Sequence, residues 1–158
     1  MGTQSTPETL TELKINDALK RKIEEAYVPN DWPMVMAHVD DQGLPTMSYR
    51  GSVVVLSDTQ LGVWARNPEG GTASSLVKHP DVQLIYREQA PDGGRSTGLV
   101  MFRGKGRVAK EPALRDAVYD TMLQRERDAD AEKKGVAIVV DLESVFGFIA
   151  GYQFQMTK

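Results

Sequence analysis

From Met34 to Lys110 the chain is a succession of short apolar runs separated by turn-forming residues, with one short helical segment among them. This spacing is the strongest constraint on the fold. Strands joined by tight turns pair antiparallel, whereas a parallel sheet needs a helix-length crossover between strands. "MVMAHV" passes through the polar loop "DDQGLP" into "TMSYRGSVVVL", which reads as a hairpin. "SDTQ" then turns that strand into a third, "LGVWAR". A helix is expected over Thr72 to Lys78, stopped by Pro80, with "DVQLIYRE" as the fourth strand. "GLVMFRGKGRVAK" is a long fifth, and its glycines predict a bend or bulge.

The flanks are helical before and mixed after. Residues 1–8 read as a disordered tail, followed by a helix from Thr9 to Ala26 with a narrow apolar stripe through Leu10, Ile15, Leu19 and Ile23. Pro29 and Pro33 break the chain around Trp32. A second long helix opens at Pro112, repeats Leu114, Val118 and Met122 at helical spacing, and continues through "QRERDADAEKK" as a solvated stretch to Gly135. "VAIVVDL" is a sixth strand and "VFGFIAGYQFQM" a seventh. The expectation is a single domain over residues 9–158, mainly β within the α+β class. It has six to seven antiparallel strands in a small barrel with flanking helices.

Composition narrows the chemistry. A net charge of -3 gives no support to nucleic-acid or anionic-membrane binding. The absence of cysteine removes disulfides, thiolate metal sites and cysteine nucleophiles, and fits a reducing cytoplasm. His38 and His79 stand alone, without metal-ligand spacing, so no metal site is expected. No signal peptide or membrane-spanning run is read. No nucleophile elbow, triad, P-loop lysine or distinctive acid pair occurs, so the catalytic residues are unknown and any chemistry falls to a cofactor.

Three stretches stand out. "RNPEGGTASS" joins a strand to a helix with Arg66, two glycines and a run of hydroxyls. Gly71, Thr72, Ser74 and Ser75 either form a capped turn or cradle an anion. Arg50 interrupts an apolar strand beside Gly51 and Ser52; it either points to solvent or meets an anion. Arg103, Lys105 and Arg107 alternate and share one face, read as a solvated or protective edge.

Taken in order, "DDQGLP", "YRG", "LVKHPDVQL" and "FRGKGRV" resemble the pyridoxamine 5'-phosphate oxidase-like family of FMN-binding split β-barrels, over about residues 34–151. The resemblance implies a homodimer that binds FMN at its interface and acts as an oxidoreductase on an unidentified small molecule. By position, Arg50 matches the family's phosphate arginine, Trp64, Ala65 and Arg66 its strand-end contacts, and Phe148 an aromatic that approaches the flavin. Ser52 and Trp64 would line the ring or ribityl chain. The sequence also departs from the family. The basic pair at the helix start falls on Gly71 and Thr72, a lysine near Val55 and a glutamine near Leu99 are missing, and so is the C-terminal arginine–histidine pattern. These departures argue against true pyridoxamine phosphate oxidation. Arg66 with the Gly71–Ser75 helix start is the expected substitute for the missing cations. The same cleft could instead take a deazaflavin, or a haem with His38 as first ligand candidate, or belong to a binding protein without a cofactor.

Overall fold

A computed structural model describes residues 8–10, 12–27 and 33–158. The expected tail, apart from Glu8, and the break at residues 28–32 around Trp32 lie outside the described residues. The strands are β1 (Glu8–Leu10), β2 (Met34–Val39), β3 (Pro45–Arg50), β4 (Val54–Ser57), β5 (Gln60–Ala65), β6 (Asp81–Gln89), β7 (Ser96–Val108), β8 (Val136–Ile149) and β9 (Tyr152–Thr157). The helices are α1 (Asp17–Glu24), α2 (Thr72–Lys78), α3 (Pro112–Thr121) and α4 (Gln124–Asp128). With three-residue β1 set aside, eight strands carry the sheet, where six or seven were expected. Pairing is antiparallel except between β1 and β9.

The sheet runs β3-β2-β6-β7-β8 and then forks. The first half of β8, Val136 to Asp141, pairs with β5, which carries β4; the second half, Ser144 to Ile149, pairs with β9. No described pairing joins β3 to β4 or to β9, so the barrel is split rather than closed. The expected irregularity in β7 is a register shift after Arg103, opposite Ser144 and Leu142. Gly104 permits it: a Cβ there would lie 2.2 Å from the Asp141 carbonyl oxygen.

Cross-strand register sorts the side chains onto two faces. Ser48, Met36, Leu84, Phe102, Val145 and Met156 succeed one another across the inner face, and the last five are buried. Leu19 and Ile23 of α1 join this core. A second cluster lies under α3, where Val118 and Met122 pack on Val54, Trp64 and Ala137.

Three expected boundaries move. The first helix starts at Asp17, not Thr9, because the Asn16 side chain accepts the Leu19 N–H at 2.9 Å and caps it, while Glu8 to Leu10 pair with β9. "TMSYRGSVVVL" divides into β3 and β4 at Gly51–Val53. The second long helix breaks at Met122, whose extended backbone is held by Arg127; its guanidinium donates to the Met122 and Asp120 carbonyls at 2.6 and 2.7 Å. Arg103, Lys105 and Arg107 do share the exposed side of β7, with Lys105 paired to Asp81 and Arg107 to Glu111. No described helix is long and apolar enough to cross a membrane, and no described cluster of three metal-ligating side chains occurs.

Candidate functional site

β3 ends at Arg50 with its side chain on the inner face, opposite Met34. β5 ends at Ala65, and Arg66 follows directly after it. The two guanidinium groups converge on a cleft of about 180 Å³, whose walls include Tyr27, Gly51, Trp64 and Glu126. Arg50 Nη2 donates to Thr72 Oγ1 at 2.5 Å, but among the described residues Arg50 Nε is buried without a partner. Burial, and next the Arg66 charge, pull the Arg50 guanidinium below its ordinary value. Among the described residues Arg66 makes no ion pair. Two like charges held together beside an unpartnered buried donor make an arrangement that an anion relieves.

Arg50, Gly51, Ser52, Trp64 and Arg66 therefore meet at one cleft, and Thr72 joins them through Arg50. Ala65 is buried in the main core beside them. The polar atoms of several are already committed, however. The Ser52 hydroxyl accepts the Trp64 N–H at 3.1 Å and donates to the Trp64 carbonyl at 3.3 Å, so it ties the β3–β4 link to β5. The Trp64 indole turns toward α3: Nε1 donates to Asp130 at 2.9 Å, and the ring meets Tyr119 edge-on at 5.1 Å. Burial pushes the Asp130 carboxyl up, but hydrogen bonds from Trp64, Lys134 and Gly135 outweigh it and hold the group below its ordinary range.

The helix start is less open than the sequence suggests. Ser75 donates back to the Gly71 carbonyl at 2.8 Å, and Ser74 divides its one hydroxyl hydrogen between that carbonyl at 3.1 Å and the Asp41 carboxylate at 2.9 Å. Gly71 has φ 57 and ψ -126, a conformation that requires glycine, yet a Cβ there would meet nothing within 4 Å. Its role is conformational rather than to clear space. Thr72 offers its hydroxyl to Arg50, not to its own helix.

Phe148 does not join the cleft within one chain. It sits on β8 opposite Leu99, on the outer face, four strands from β3. At roughly 4.8 Å per strand that is about 19 Å away.

Tyr27 and Glu126 were not foreseen. Glu126 falls in the stretch read as solvated, but a Cβ on Gly51 would lie 2.5 Å from its Oε1 and 2.8 Å from Tyr27 Cδ1. Gly51 is thus the notch into which α4 seats, and the neighbouring Arg125 guanidinium lies 4.0 Å over the Tyr27 ring. A larger hollow of about 530 Å³ lies between α1 and β9, but its lysines, Lys14 and Lys22, are paired with Asp58 and Glu88. Among the described residues, the Arg50 cleft combines converging cations with an orphaned donor.

No protein-family profile and no curated protein matches the chain. Solved structures do match in fold. A candidate pyridoxamine 5'-phosphate oxidase from Lactobacillus delbrueckii superposes with TM-score 0.52 at 16% identity, covering 87% of this chain and 97% of its own. An FMN-binding protein from Syntrophomonas wolfei gives 0.60 at 10% identity, covering 82% and 86%. A haem-binding protein from Mycobacterium smegmatis gives 0.63 at 15% identity, covering 85% of this chain and 57% of its own. The chain thus shares its fold with these proteins, as its resemblance to the pyridoxamine 5'-phosphate oxidase-like family implied.

Proposed function

We propose that the chain binds FMN in the Arg50–Arg66 cleft as a homodimer and serves as a cytoplasmic oxidoreductase for a small molecule. The observation that carries this reading is the convergence of Arg50, Arg66 and Thr72, with Arg50 Nε buried and unpartnered. A phosphate monoester suits such a site, because a dianion neutralises both guanidinium groups and accepts the orphaned N–H. Thr72 holds Arg50 in place, and Tyr27 offers an aromatic wall. Bound FMN would supply hydride or electron transfer; the protein would bind and orient it. Val55 is buried and Leu99 half-buried and apolar, so neither offers the polar contact that the missing lysine and glutamine would make. This supports a reaction other than pyridoxamine phosphate oxidation.

A second copy of the chain completes the site. Sites for molecules of this size span about 300–1,000 Å³, more than the roughly 180 Å³ of this cleft. The outer sheet face carries an apolar row, Tyr49, Val35, Ile85, Met101 and Phe146, flanked by Met47 and Phe148. Tyr49 is 73% and Met47 74% exposed, unusual for side chains of their size and suited to burial against another sheet. Across such an interface Phe148 could reach the partner's cleft.

The visible spectrum of the purified protein, an FMN titration, and mass spectrometry of released ligand test the reading. Flavin bands, or micromolar binding of added FMN, support it. A Soret band, a deazaflavin mass, or failure to bind FMN replaces it. His38 gives a haem no ready ligand, since the residue is only 8% exposed and faces the interior of the sheet.

A further inference from the structure

The inner face of β2 and β3 holds a polar file that the cleft alone does not explain. Thr46, Ser48 and Arg50 alternate along β3 toward the interior, and their register partners on β2 are His38, Met36 and Met34. Ser48 is the next inward residue from Arg50, and His38 lies diagonally across from Ser48, within side-chain reach. Among the described residues, three buried side-chain atoms in this file have no hydrogen-bond partner: His38 Nδ1, Ser48 Oγ and Arg50 Nε. An orphaned buried polar atom is costly, and three in one file on adjoining strands point to something that satisfies them together.

We infer that His38 and Ser48 form the inner wall of the anion site, so that a phosphate or sulfate group held by Arg50 is also bonded by the Ser48 hydroxyl and by a protonated His38. This deepens the FMN reading by naming contacts beyond Arg50 and Arg66, and it rests on the cleft being an anion site. The charges around His38 fit. Burial and then Arg50 hold its imidazole below the ordinary value, while Asp40 acts in the opposite direction. Nearby, Asp41 bonds Ser74 of α2, Asp81 of β6 is held by Lys105, and Arg103 of β7 lies along the adjoining depression. An anion on Arg50 cancels the charge that opposes protonation. The bound state therefore holds more protons than the free state, and affinity falls as pH rises.

Sulfate is the cleanest probe, because it is a dianion that does not titrate between pH 5 and 8. The chain has only two histidines, so the Cε1–H signals of His38 and His79 are separable by NMR once a His79→Gln variant assigns them. With saturating sulfate, the His38 titration midpoint should rise by at least one pH unit. Sulfate affinity should weaken by up to about tenfold per pH unit across the linked range. Ser48→Ala should weaken sulfate and FMN roughly tenfold, in line with one lost charge-assisted bond. His38→Gln, if folded, should abolish the pH dependence; the titration of the unaltered protein decides the matter if it is not. A His38 midpoint unmoved by sulfate, or no sulfate binding at all, overturns the inference. FMN binding without movement of His38 leaves the FMN reading standing and removes this one. Sulfate binding that moves His38 in a protein that rejects FMN does the reverse.

Discussion

Tyr49 on β3 and Phe146 on β8 lie in one row across the sheet, linked through Val35, Ile85 and Met101, each the register partner of the next. A row of this kind faces either water or another sheet, and its apolar content favours the sheet. Sedimentation at micromolar concentration should therefore show a species of twice 17.5 kDa. Tyr49→Arg combined with Phe146→Arg should weaken association at least tenfold and lower FMN affinity with it. A wild-type protein that sediments only as a monomer sinks both the dimer and the shared site.

Arg50→Ala should weaken FMN binding about ten- to a hundredfold, the equivalent of a charge-assisted contact worth about 1.5–3 kcal/mol. The melting temperature of the ligand-free protein should hold or rise, because the change removes an orphaned buried Nε and the crowding with Arg66. Fluorescence titration and thermal melts measure the two effects; unchanged affinity in a folded variant takes Arg50 out of the site.

Gly51→Ala should destabilise the fold by about 1–3 kcal/mol, as overpacking does. The new methyl would run into Glu126 Oε1 and Tyr27, both within 3.0 Å. Glu126→Ala should recover part of that loss in the double variant, which a double-mutant cycle by urea unfolding reads directly. Strict additivity would mean that α4 does not seat on Gly51.

Gly71→Val tests the strand-to-helix joint. A side chain there has open space, so a steric block of ligand is not expected. The positive φ instead predicts a loss of about 1–3 kcal/mol in stability. If the melting temperature is unchanged while FMN binding is lost, the glycine serves the ligand rather than the turn.

His38 predicts the pH response of the ligand-free protein. Its folded value is depressed below 6.5, so the unfolded chain binds the proton more readily. Its contribution to stability is therefore full above about pH 6.5 and is lost progressively as pH falls toward the lower folded value. Melting temperatures should decline below about pH 6.5 in the wild type and less steeply in His38→Gln. Equal slopes in the two proteins would rule out burial of a neutral His38.

What could be read from the sequence was local. β2 over Met34–Val39 and α2 over Thr72–Lys78 fall where period and Pro80 put them, and the Arg103, Lys105, Arg107 alternation is the strand pleat itself. The separation of β3 from β4 was hidden because Gly51 and Ser52 sit inside an unbroken β-forming run. Arg50 was legible as a charge out of place. Its relation to His38 was not, because that depends on a hairpin register fixed by pairing rather than by spacing. Trp64 was expected at the ligand; its indole is drawn away by Asp130, 66 residues further on, a contact that no local pattern encodes.

The fork at β8 has a consequence for how the molecule opens. Its first half is hydrogen-bonded on both edges, to β5 and β7, and Ala137, Ile138, Val139 and Val140 there are wholly buried. Removing that half-strand detaches the β4–β5 branch from the rest of the sheet, whereas β3 and β9 can each peel from their own side. Amide hydrogens from Ala137 to Val140 should accordingly exchange with deuterium only through global unfolding, while those of β3 exchange through partial openings. The slowest-exchanging segment would then be a strand made after both of its partners, so β5 and β7 of a nascent chain lack the strand that joins them until β8 has left the ribosome.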